Sequence, residues 1–114
     1  MSIESEIFDT LAATFSNRVY PDVAPHTAVK PFCTYQNIGG VPTPTLCGDP
    51  VKVNSIIQVN IWSDRRDQAN TLMLNVSQLL TGIPMFGTAQ NGIVGLFDND
   101  TKTYGAMRDF SFWR

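Results

Sequence analysis

Val51-Lys52-Val53-Asn54-Ser55-Ile56-Ile57-Gln58-Val59-Asn60-Ile61-Trp62 is the stretch that decides the fold. Its odd positions read Val, Val, Ser, Ile, Val, Ile, and its even positions Lys, Asn, Ile, Gln, Asn, Trp. A period of two with one apolar side marks a strand that rests one face on a core. A slip of one residue would turn that apolar set to water, so the register is well specified. Directly after the strand, Ser63 or Asp64 is placed to cap a helix. Ala69, Leu72, Met73, Val76, Leu79 and Leu80 fall within one stripe of about 120 degrees, at about 100 degrees per residue. Gly82 supplies the stop and Pro84 enforces it.

Working outward, Ile3, Ile7, Phe8, Leu11 and Phe15 form a second helical stripe, with Glu4 and Glu6 in the first turn where the helix dipole favours acids. It ends near Asn17, because Val19-Tyr20-Pro21 continues a helix poorly. Pro21, Pro25 and Pro31 constrain the connection to a strand at Phe32–Ile38, whose aromatic and β-branched content favours sheet. Residues 39–50 are rich in Gly, Pro and Thr and long for a loop in a compact domain, which makes them a candidate contact arm. Ile93–Phe97 and Thr103–Trp113 read as strands around an Asp98-Asn99-Asp100-Thr101 turn, with Gly105 as a candidate bulge. The order is helix, short strand, strand, long strand, helix, strand, strand. It predicts an α+β fold: an antiparallel sheet of about four strands with two helices packed on one face, in a single domain over 1–114.

A chain of 114 residues with 43% hydrophobic and 16% charged residues can bury a real core without metal or disulfide staples. Its net charge is −2 and Arg65-Arg66 is its only adjacent basic pair, which argues against bulk attraction to nucleic acid or anionic lipid. The N-terminal residues carry acids where a secretory signal needs bases, and no apolar run has the length of a membrane span. A cytosolic chain is therefore expected, with Cys33 and Cys47 as free thiols.

Chemistry is sparse. The one histidine, His26, lies in the Pro-rich segment and reads as a loop residue. No nucleophile elbow, phosphate loop or dinucleotide fingerprint is present. The two cysteines match no zinc spacing, and Asp98-Asn99-Asp100 lacks the later ligands of a calcium loop. Asp64 and Asp67 read as capping and dipole partners, Arg65-Arg66 as a solvated helix edge, and Cys33 as a small core hydrophobe. No catalytic, cofactor-binding or metal-binding residue is named, no cofactor is expected, and the chain is expected not to be an enzyme.

The informative residues are apolar ones on polar faces. Ile56 and Trp62 lie on the wet parity of the long strand. Leu74 lies opposite the buried stripe of the second helix. Trp113 shares a parity with Met107, Asp109 and Ser111. Single exposed apolar residues are ordinary. Together, Ile56, Trp62, Leu74 and Trp113 are the candidate subunit interface, because tryptophan is enriched in interface hot spots.

Read in order, the helix, Arg18-Val19-Tyr20-Pro21, Ala24-Pro25, Pro31-Phe32-Cys33-Thr34-Tyr35-Gln36, Gln58-Val59-Asn60-Ile61-Trp62 and Arg108-Asp109-Phe110-Ser111-Phe112-Trp113 resemble the small tail-completion, or head–tail joining, proteins of long-tailed bacteriophages and prophages. The resemblance spans nearly the whole chain and rests on order and spacing. It implies a virion structural protein of the tail neck, similar in fold to tail terminators and assembled in the host cytoplasm. It also implies self-association in a ring, commonly six-fold, that caps the tail tube and docks on the head connector. DNA would pass through that ring without specific binding, and no membrane is involved. The loops 39–50 and 84–92 match no family pattern, which leaves the docking partner open. Two other classes stand beside it: a small-ligand-binding α+β domain with its pocket between sheet and helices, and an enzyme using His26 or Cys33.

Overall fold

The long strand forms as its alternation requires, and everything else is arranged around it. The structure, a computed structural model, describes residues 3–25, 27–39, 54–82 and 85–113. His26, Cys47, Pro84 and the candidate arm beyond Gly39 lie outside the described residues, as do Val51 and Val53. The elements in chain order are α1 (Ile3–Ala12), β1 (Val19–Pro21), β2 (Phe32–Gly39), β3 (Asn54–Ser63), α2 (Arg66–Thr81), β4 (Thr88–Ala89), β5 (Val94–Asp98) and β6 (Thr103–Trp113).

On β3, Ile57, Val59 and Ile61 are fully buried, and the same is true of Met73, Val76 and Leu80 on α2 and Ile7 and Leu11 on α1. All belong to one core cluster with Phe110 and Phe112 of β6, so both helices cover the same face of the sheet. Full burial of each large aliphatic side chain contributes about 1.5–3 kcal/mol relative to exposure. The buried side of α2 is narrower than the sequence stripe. Leu79 is exposed, and Ser77 takes a buried place instead. Its hydroxyl donates to the Met73 carbonyl at 2.8 Å and accepts from Arg108 Nη1 at 3.0 Å.

The sheet is larger than expected, and mixed. Its strand order is β1-β2-β3-β6-β4, with β5 also paired to β6. Three residues of β1 run parallel to Cys33–Tyr35, whereas β2–β3, β3–β6, β4–β6 and β5–β6 are antiparallel. A parallel neighbour needs a long crossover, and the proline-bearing segment after Pro21, with a cis Lys30–Pro31 peptide, supplies it. The two-residue β4 escaped the sequence reading because Thr88-Ala89 carries no periodicity. Both β4 and β5 lie along one edge of β6. Between them Asn91 stands in for the missing ladder: its Oδ1 accepts the Asp109 N–H at 3.1 Å.

Three local expectations are corrected. Neither Ser63 nor Asp64 is the N-cap of α2: Arg65 is, in extended conformation and without a side-chain cap bond. Ser63 is still the last strand residue; its hydroxyl accepts the Arg65 N–H at 3.2 Å and donates to the Gln68 side-chain carbonyl. Asp64 pairs instead with Lys30 at 3.2 Å. Gly105 is not a bulge, since β6 keeps unbroken register with β3 and β5 on either side of it. The irregularity lies in β2, between Asn37 and Gly39, where Gly39 has φ +121. Helix α1 ends at Ala12, earlier than expected, and the chain turns through Ser16 and Asn17 at positive φ while Phe15 stays fully buried.

Candidate assembly surface

Antiparallel partners share a face, so the ladder fixes the composition of the sheet side turned away from the helices. One row across the strands reads Phe32, Trp62, Gly105, Leu96. The next reads Tyr20, Thr34, Asn60, Met107, Val94. A third reads Gln36, Gln58, Asp109. Ile56 lies opposite Ser111, and Trp113 opposite Asn54.

Trp62 is half-buried, and Gly105 is the reason the ring can lie there. A Cβ at Gly105 would come within 2.8 Å of Trp62 Cζ3. Tyr20 and Phe32 meet edge to face beside it, with centroids 6.2 Å apart. The proline-bearing segment covers part of this end. One groove beside Trp62 is lined by Ala24, Pro25, Ala28 and Lys30, and another by Asp22, Val23 and Asn60.

The four candidate interface residues do not form one patch. Trp62, Ile56 and Trp113 lie on the outer sheet face, with Trp62 about 20 Å along the strand from Ile56 at about 3.3 Å per residue. Leu74 lies on the other side of the domain, 55% exposed on the outer surface of α2. Sequence reasoning missed Tyr20, Phe32, Val94 and Leu96, because their face follows from strand register and not from their own segments.

Elsewhere the chemistry stays structural. Cys33 is a free thiol, fully buried in the core, and burial pushes its pKa well above the thiol range, which disfavours the nucleophilic thiolate. Asp98 Oδ1 accepts the Asp100 N–H at 3.0 Å, the Asx turn expected there. At the start of α2, Arg65 pairs with Asp67 at 2.6 Å in full view of solvent, and the Arg66 guanidinium stacks on Tyr104 at 5.3 Å. Among the described residues, no group of three or more His, Cys, Asp or Glu side chains could hold a metal ion, and no helix is long and apolar enough to cross a membrane. Core side chains pack between sheet and helices, and at the edge of that layer a cleft is lined by Arg66 and Asn70 of α2 and by Ile93, Gly95, Leu96 and Phe97.

The class defined by this fold and surface is a small two-layer α+β domain whose notable features are apolar and amide side chains on its outer faces. The comparison with known families narrows it. Residues 8–114 match the family model for tail completion protein gp17, and the chain belongs to that family. Its role is structural, in the phage tail. A search of curated proteins finds no match.

Proposed function

We propose that this chain forms a ring, commonly of six copies, at the head-proximal end of the tail, where it completes the tail tube and joins it to the head connector. The observation that carries the reading is the tail-completion family match over residues 8–114. The surfaces are compatible with it: Trp62, Ile56 and Trp113 on one side and Leu74 on the other give a subunit two distinct faces, as a heterologous ring requires. The ring would let DNA pass without gripping it, in keeping with a net charge of −2 and no basic block.

The test is in vitro joining. Particles made without this protein should accumulate as filled heads and separate tails, and adding the purified chain should restore joined virions. Gold-labelled antibody should mark the head-proximal end of the tail. Label at the distal tip, or normal joining without the protein, would refute the reading. The double variant Trp62→Ala/Trp113→Ala should lower the mass of the assembled ring in light scattering.

A further inference from the structure

The two outer surfaces of the domain share an unusual composition. From Gln68 to Thr81, α2 contains no charged residue. Its outer side presents Asn70, Thr71, Leu74, Asn75 and Gln78, all exposed. A solvated helix ordinarily carries charged residues on that side, and loss of charge is the compositional mark of an interface centre. The outer sheet face repeats the pattern with Thr34, Gln36, Gln58, Asn60, Trp62, Met107 and Val94. Asp109 is the one acid within its rows, and Asp98 lies at its rim. Other charges gather away from both faces, with Glu4, Glu6 and Asp9 on α1 and Asp64, Arg65, Arg66 and Asp67 where α2 begins, while Asp22 and Lys30 border the grooves beside Trp62.

We infer that these two charge-poor faces are the two halves of one interface, so that the α2 ridge around Leu74 of one copy packs on the outer sheet face around Asn60, Trp62 and Met107 of the next. This rests on the ring reading above and names its contact. A second copy is the occupant for three reasons. Both halves are present on every copy, and on opposite sides of the domain, so the contact repeats head to tail. Each half is amide-rich, and two of the charges that border the contact already have partners within the copy: Asp109 Oδ2 accepts from Asn91 Nδ2 at 3.2 Å, and Lys30 pairs with Asp64 at 3.2 Å. The dimensions also agree. Sixteen residues of α2 span about 24 Å at about 1.5 Å per residue, and about seven strand residues of the outer face span about 23 Å.

A ridge about 24 Å long and about 10 Å wide is small against the roughly 800 Å² per partner of a standard stable complex. One contact alone would therefore be weak, and closing a ring gives every copy two.

The experiment places the photo-crosslinking residue p-benzoylphenylalanine at Leu74, an exposed position, and irradiates assembled tails. The expected product joins position 74 of one copy to a peptide containing Trp62 or Met107 of another. Particle images give the copy number and symmetry independently. A symmetric ring whose position 74 crosslinks to another α2, to a different tail protein or to nothing would overturn this pairing and leave the ring reading standing. Tails that hold the chain in no ring would overturn both.

Discussion

Raising the pH should destabilise this protein through Cys33. Its thiol is fully buried, and burial raises its pKa far above the ordinary thiol value. In the unfolded chain the same thiol ionises from about pH 8.5. Above that point the unfolded state binds fewer protons than the folded state, so stability falls as pH rises. The stabilising contribution is complete below the unfolded pKa and is lost progressively above it. Each further pH unit removes about 1.4 kcal/mol, so about two units, near pH 10.5, remove about 2.7 kcal/mol. Tyr35 acts with the same sign from about pH 10. Its pKa is raised by burial first, and then by the negative charges of Glu4 and Asp22 and by Cys33.

The assay is urea unfolding, under reducing conditions, of the native chain and of Cys33→Ala across about pH 7.5 to 10.5. With a urea dependence of about 1–3 kcal/mol per molar, the native midpoint should fall by about 1–3 M over that range. The Ala variant starts from a lower midpoint, because a buried sulfur is lost, but its decline should begin only where tyrosine ionises. Equal slopes for the two chains between about pH 8.5 and 10 would refute the reasoning, since the thiol would then be ionising in the folded state.

Three further substitutions test the packing that positions the surfaces. Gly87→Ala would put a Cβ within 2.4 Å of Phe112 Cε1 and 2.7 Å of the Leu80 carbonyl oxygen, so overpacking of about 1–3 kcal/mol is expected as a lowered midpoint in thermal or chemical unfolding. Arg108→Met removes the hydrogen bonds to the Asn91 carbonyl at 2.8 Å and to Ser77 Oγ at 3.0 Å; a loss of about 1–2 kcal/mol is expected, with faster amide exchange at residues 89–93 than in β3. Ile61→Ala empties a fully buried site at the centre of the sheet and should cost about 2–5 kcal/mol by the same unfolding measurements.

What the sequence made legible was what each segment carries on its own. Ile57, Val59 and Ile61, or Met73, Val76 and Leu80, reveal their burial by spacing alone, because a strand or helix repeats at a fixed period. Three residues such as Val19-Tyr20-Pro21 have too little length to show a period, and nothing local says whether they run parallel or antiparallel to β2. Gly105 shows the limit from the other side. A glycine in a strand marks either a bulge or a close approach, and only the cross-strand partner, Trp62, decides between them. The candidate surface divides in the same way. Ile56, Trp62, Leu74 and Trp113 are visible as breaks in an alternation. That Leu74 lies on the opposite side of the domain from the other three, and that Tyr20 and Phe32 adjoin Trp62, depends on register and packing.

For the ring proposed above, the division of those residues between two sides bears on how a subunit would stay dispersed before assembly. Had Leu74 joined Trp62, Phe32 and Met107 in one patch, two chains could pair face to face and end there, in a closed dimer with no further surface to offer. Split across the domain, each half is small and only half-exposed, and amides surround it. A single encounter then gains little beyond the rotational and translational freedom it forfeits. In the proposed ring on a tail tube, the next contact would be made at high effective concentration, and every copy would be fixed from both sides. A weak, amide-rich contact used twice per subunit would remain open in solution and close on such a template, whereas one strong apolar patch would pair in solution.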